Sequence, residues 1–397
     1  MKKWRSWFSG SARNNAPQLP VDLADAAMWA DPAPVWAWLR ENQPLAQVAS
    51  GGYVLTRHAD IVQAFGNPAL GNQPSRFSVL AARNRGKSTA AAVAAHIPPF
   101  LDKPEHVPAR QAVSGAFHAA FKGAETWVPE LAEARVAALA GQRFDLIEHL
   151  AQPFACAVMA RFIGLPEDRV MIKQATQGFF HLFAPITDRA RFGQVNTALE
   201  SARAALSAAA EQPPSGSFLA HLRGAGVTEN ALLDNALLVL ADGVENIEAG
   251  IATALDLTLR HADRIAPDSP VQALVSESLR LASPAQVIAR VTRTPMTLHG
   301  VDLAEGAPVF LALGAANLDP MAHPDPLRFD PNRTGEEPLL FGRGRHRCIG
   351  AQLGLLQISA MLKALRAAGA MRVDQGPVHC HARFGHRWPV AMRVSLA

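Results

Sequence analysis

Cysteine is nearly missing from this chain: Cys156, Cys348 and Cys380 are the only three in 397 residues. So small and odd a number excludes a disulfide-built scaffold and suits a reducing compartment, so a cytoplasmic location is expected. Charge is sparse too, at 18% of residues, and the net +4 is not gathered into a long Lys/Arg run. Nucleic-acid binding is not expected from so diffuse a balance. A local basic patch for an acidic protein partner fits it better. No uninterrupted apolar run is long enough for a membrane span. The opening MKKWRSWFSGSARNNAP has the basic start of a secretory leader but no apolar core behind it. Its Trp4, Trp7 and Phe8 read as aromatic anchoring of a loose end. There is no internal repeat, and the 29 prolines are dispersed rather than collected into a linker. Residues 1–19 are therefore expected to be a flexible N-terminus and 20–397 a single domain.

What the chain does have is apolar material, at 49% of residues, enough for a large core. The pattern reads as a short strand near Tyr53 to Thr56, then helices to about residue 285. A mixed strand and turn region follows from about 288 to 311. VDLAEGAPVFLALG, residues 301–314, alternates around Gly306 and Pro308 as a hairpin would. Residues 317–348 read as irregular chain rich in Pro, Asp and Arg. A helix resumes near Gly350, with Ile349, Leu353, Leu356 and Ala360 on one face and Gly369 at its stop. The fold class is mainly α with small β-sheets.

Each cysteine has its own setting. Cys156, in FACAVMARFIG, reads as a buried small hydrophobe. Cys380, in HCHARFGH, lies beside His379, His381 and His386. That spacing matches no zinc pattern and is read as a C-terminal hairpin. Cys348 lies in FGRGRHRCIG, residues 341–350, a glycine-rich loop at a helix N-terminus. Free N–H groups and the positive dipole end favour a thiolate there. A nucleophile would need a paired base, and His346 is only two residues away. A metal that brings its own equatorial ligands needs one cysteine, and haem is such a centre. A phosphate loop would need a Lys-Ser/Thr that is absent.

FGRGRHRCIG resembles the haem-binding signature of the cytochrome P-450 family, with Phe341, Gly342, Gly344, His346, Cys348 and Gly350 matching. Other segments match in the same order. ESLR gives Glu277 and Arg280, similar to the family's Glu-x-x-Arg. HPDPLRFDPNR follows, where Arg328 or Arg333 would complete a buried ion network. DKPEHVPAR gives His106 and Arg110, and IARVTRTPMTLHG gives Arg290. With His346 these would be the partners of the haem carboxylates. The resemblance implies haem b on Cys348, and a single domain with haem between a long distal helix and the cysteine loop. It implies a monooxygenase using O2 on a mainly hydrophobic small molecule. It further implies a monomer that takes electrons from an acidic ferredoxin with its reductase, since no flavin or iron–sulfur domain is fused. Arg343, Arg345, Arg347, Lys363 and Arg366 would form the docking face.

The distal helix is expected in NALLVLADGVENIEAGIATALDL, residues 235–257. It departs from the family pattern Ala/Gly-Gly-x-Asp/Glu-Thr-Thr. Asp242 replaces a small residue, Glu245 keeps the acid, and Asn246 stands where a threonine is usual. An amide donates hydrogen bonds but does not readily give up a proton. Asp242, Glu245 and Asn246 are the candidate catalytic residues, and Val239, Ala241, Asp242, Val287 and Ile288 the candidate pocket. Segments 71–99 and 179–193 would line the entrance. The unusual Asn246 keeps two alternatives open: an atypical oxidation (dealkylation, ring coupling, peroxide-driven turnover) and a non-catalytic haem sensor.

Overall fold

The structure is a computed structural model. It describes residues 19–75, 78–184, 189–369, 371–373 and 379–396. Most of the expected flexible N-terminus, with Trp4, Trp7 and Phe8, lies outside them.

Eight helices position the site. In chain order these are α1 (His106–Ala137), α2 (Gln152–Ile163), α3 (Arg169–Phe180), α4 (Arg189–Glu211), α5 (Glu229–Asp242), α6 (Glu245–Arg260), α7 (Val271–Leu281) and α8 (Ala351–Ala367). α1 buries Val113, Phe117, Ala120, Ala124, Val128, Ala132 and Val136. That three-to-four-residue spacing is one stripe of a helix, and it packs along α8. α5 begins where the Thr228 hydroxyl accepts from the Ala231 N–H, and is buried on nearly every side from Leu232 to Ala241. No helix among the described residues is long and apolar enough to cross a membrane.

The main sheet joins β1 (Leu45–Gln47), β2 (Tyr53–Leu55), β3 (Leu70–Gly71), β4 (Val287–Thr292) and β7 (Pro308–Ala312) in the order β1-β2-β7-β4-β3. The intervening β5 (Met296–Leu298) and β6 (Val301–Leu303) pair only with each other. The expected hairpin over 301–314 is therefore corrected. Its first half returns to β5, and its second half runs antiparallel to β4 and parallel to β2. Val309 and Leu311 on one face and Phe310 on the other are all buried, so this strand belongs inside a sheet, not at a two-stranded edge. Around Cys380 the hairpin forms as read: His381 N–H donates to Trp388 C=O and Val390 N–H to His379 C=O, at 2.9 and 2.8 Å.

The long distal helix is also corrected. It is two helices, with Gly243 and Val244 between α5 and α6. A side chain at residue 243 would meet the Met159 sulfur of α2 at 2.5 Å. Gly243 thus lets the flexible end of the Met159 side chain lie close to the backbone at this point, where the chain leaves the helical path. Asn246 does not cap the break; α6 has no side-chain cap.

Candidate functional site

The loop before α8 folds around Cys348. Gly342 and Gly344 adopt φ +67° and +74°, conformations that cost other residues strain. The Cys348 N–H donates to the Phe341 carbonyl at 2.9 Å. Gly350 stands close to the sulfur, since a Cβ there would be 3.7 Å from Sγ. Cys348 presents free surface, yet it is deep enough in the protein that burial pushes its thiol up to about 12. A group both accessible and deeply surrounded faces an interior space. Such a thiol stays protonated alone and ionises readily only on a metal.

Beside this space lies a knot of unanswered donors. The His106 and His346 rings stand 4.2 Å apart between centroids. Both Nε2 atoms are buried without a hydrogen-bond partner. Burial, then His106, Arg290 and Arg345, push His346 down to about 3. Arg290, on β4, is buried and donates to the Ala289 carbonyl at 2.8 Å. Its guanidinium lies 5.6 Å from the Phe65 ring centroid. Among the described residues it has no carboxylate partner, and burial pushes it down to about 10. Arg110 is differently engaged: it donates to the Arg347 carbonyl at 2.6 Å, tying α1 to the cysteine loop. Asp102 is the acid of this region; its Oδ2 is taken by Arg293 at 2.8 Å and by the N–H groups of Asn72 and Gln73, its Oδ1 is buried without a hydrogen-bond partner, and among the described residues it forms no ion pair with His106, Arg290 or His346. Buried donors without acceptors are rare. This set suits a pair of carboxylates, the donor requirement of a haem.

Under the proximal side, Arg280 grips Glu277 with two bonds of 2.7 and 2.8 Å. It also donates to the carbonyls of Asn317, Pro326 and Arg328. The second cation is Arg333, with Nε 3.4 Å from Glu277. Arg328 contributes only its carbonyl, which the spacing alone left open.

On the distal side α3 supplies a residue that the sequence did not point to. Lys173 Nζ lies 3.6 Å from Glu245 and 3.2 Å from Glu248. Burial raises both carboxyls against that cation. Asn246 is fixed by a second residue of this kind: the buried Trp388 indole donates to its Oδ1 at 3.1 Å. An indole N–H can only donate, so the amide oxygen must face Trp388 and the NH2 is left for other neighbours. Lys173 has no special neighbours in sequence, and neither residue carried a local signal.

Asp242 closes α5 and is half-buried. Burial alone raises its carboxyl to about 6, and its charge acts on the Cys348 sulfur, so the two groups border one region. Val239 and Val287 are buried and Ile288 half-buried. Ala241 is fully buried, in the same core cluster as Val239. Where the expected entrance falls among the described residues, Phe100 stacks on Phe183 at 5.0 Å. Residues 76–77 and 185–188 lie outside them. Arg343, Arg345, Arg347, Lys363 and Arg366 are exposed. Arg345 also depresses His106, His346 and Arg290, so it stands at the rim of the donor knot.

The chain is similar to known proteins along most of its length. The family profile described as Cytochrome P450 matches residues 270–365. The chain is 28% identical to cytochrome P450 BJ-3 of Bradyrhizobium diazoefficiens, with 87% of this chain and 89% of that protein covered. It is 29% identical to the vitamin D(3) 25-hydroxylase of Pseudonocardia autotrophica, covering 85% and 86%. Among solved structures, ligand-free CYP164A2 of Mycobacterium smegmatis superposes with a TM-score of 0.80 at 27% identity, covering 94% of this chain and 98% of that one.

Proposed function

We propose that this chain, which is similar to cytochrome P450 proteins along most of its length, is a haem b monooxygenase, and we assign which of its residues do the work and on what. Cys348 would hold the haem iron, and His106, Arg110, Arg290 and His346 would receive the haem carboxylates. Arg110 also holds the cysteine loop against α1 through the Arg347 carbonyl, with further guanidinium donors to spare. Phe341, Gly342 and Gly350 shape that loop. Glu277 and Arg280, joined by Arg333, lock the chain that leads into it. Haem, when bound, supplies dioxygen activation and oxygen insertion. The protein's share is orientation, water control and proton supply.

Glu245 is the proton-bearing group, its carboxyl raised by burial against the opposing pull of Lys173. Asn246, fixed by Trp388, offers NH2 donors that orient a water rather than giving up a proton itself. The substrate is a mainly apolar small molecule held by Val239, Val287 and Ile288. An acidic ferredoxin with its reductase brings electrons to the exposed Arg343, Arg347, Lys363 and Arg366, and the chain works as a monomer. The observation that carries this reading is an accessible cysteine deep in the fold, beside buried donors that lack acceptors.

The test is the reduced carbonyl spectrum of the haem-loaded protein. Cys348→Ala is expected to lose the red-shifted thiolate band, while Cys156→Ala and Cys380→Ala keep it. A Cys348 variant that retained the band would overturn the assignment.

A further inference from the structure

Three carboxylates stand on the distal segment, Asp242, Glu245 and Glu248. The cations facing them are Lys173, which touches Glu245 and Glu248, and Arg383, which acts on Glu245 at longer range while its Nη1 lies 3.1 Å from His181 Nε2. Asp242 has neither. No hydrogen bond or ion pair to its side chain occurs among the described residues, and burial is the only influence on its carboxyl. It is also the last residue of α5, at the end of the helix where the macrodipole disfavours a negative charge. So it is surrounded by protein, at the wrong end of a helix, without a cation. A buried carboxylate in that position is expensive unless something pairs with it. Asp242 keeps some free surface at the end of α5, near enough to Cys348 for its charge to act on the sulfur, and the proposed function places substrate beside that cysteine.

We propose that Asp242 is the specificity-determining residue of the site and that it selects substrates with an apolar body and a protonated amine. This rests on the haem-thiolate reading above and narrows its substrate class. The placement of the cations decides between an amine and a neutral hydroxyl. Lys173 stands against Glu245 and Glu248 and Arg383 acts on Glu245, so Asp242 has no cation of its own, which a protonated amine supplies and a hydroxyl does not. Val239 and Val287, both buried, suit the apolar remainder. The pairing has a chemical consequence. A carboxylate beside the amine keeps it protonated, so its lone pair is not available to ligate iron, and the nitrogen is held as an anchor rather than as an inhibitor.

The probes are two molecules of one shape: a phenylalkyl chain ending in trimethylammonium, and the same chain ending in tert-butyl. Neither can ligate iron, so only charge differs. Binding to the haem-loaded protein is measured by equilibrium dialysis and by the shift of the haem absorption. The native protein is expected to favour the cation by about tenfold or more, as for a close charge pair away from water. Asp242→Asn should erase the preference and Asp242→Glu keep most of it. Equal binding of the two probes by the native protein overturns the inference, and needs no variant. So does an Asp242→Asn protein that keeps the preference, including one whose ligand-free spectrum changes, since the carboxylate would then serve the metal. If Asp242→Asn does not load haem, Asp242→Ser is compared instead. The red-shifted carbonyl band is recorded for every protein used. Its absence from the native chain counts against the proposed function, whereas its presence with no cation preference counts against Asp242 alone.

Discussion

Arg290 is a cation that the folded chain keeps at a loss until a carboxylate arrives, and replacing it should therefore have opposite effects with and without haem. Burial pushes its guanidinium down to about 10, a penalty on the order of 3 kcal/mol on the haem-free fold. At pH 7 both folded and unfolded forms are protonated, so the penalty is fully present. It lifts only as the pH rises above about 10, where the unfolded chain binds the proton more tightly. Arg290→Met keeps the unbranched stem beside Phe65 and removes the charge. It also removes the bond to the Ala289 carbonyl, at a cost of about 1 kcal/mol. The haem-free protein should thus gain about 2 kcal/mol, read as a higher urea midpoint. With haem bound, the same change leaves a carboxylate unpaired and should cost about 2–5 kcal/mol. That loss is read as faster transfer of haem to an acceptor apoprotein. The two signs must differ. A variant that weakens both forms, or leaves haem transfer unchanged, would refute the assignment of Arg290 to the haem carboxylates.

Arg280→Met leaves Glu277 buried with Arg333 alone at 3.4 Å, and should cost about 3–5 kcal/mol of stability. Arg333→Met should cost less, and equal melting losses would contradict the geometry. Trp388→Phe removes the indole donor that fixes Asn246; product per electron pair should fall while electron consumption continues as peroxide, and unchanged coupling would leave the contact without a role. Lys363→Glu and Arg366→Glu should slow electron transfer from an acidic ferredoxin, more at low salt than at high. A salt-independent loss would point to another face. Arg345 is the poorer choice for that test because it also acts on His106, His346 and Arg290.

The cysteine loop, the Glu277–Arg280 pair and the donors His106, Arg290 and His346 are legible in the amino-acid sequence, and so is the mainly helical class. Each is a local requirement. Gly342 and Gly344 are glycines because the backbone there takes a positive φ, and Glu277 and Arg280 lie three apart on α7, which places them side by side. What stays hidden in the sequence concerns partners far along the chain. Lys173 reaches Glu245 and Glu248 from another helix, and Trp388 reaches Asn246 from the C-terminal segment. No spacing rule connects such residues. The break at Gly243 falls where the Met159 side chain comes close, and the complete burial of Ala241 is set by what packs around α5. The strand β7 joins β4 and β2, not β6, since both its faces are buried. Backbone needs and short-range pairs are written in adjacent residues, which is why the resemblance to the family and the candidate cysteine can be read from the chain alone. Which buried polar groups find a partner, and that Asp242 finds none, is decided only when the helices pack, because a desolvated charge is answered by whatever the fold brings beside it.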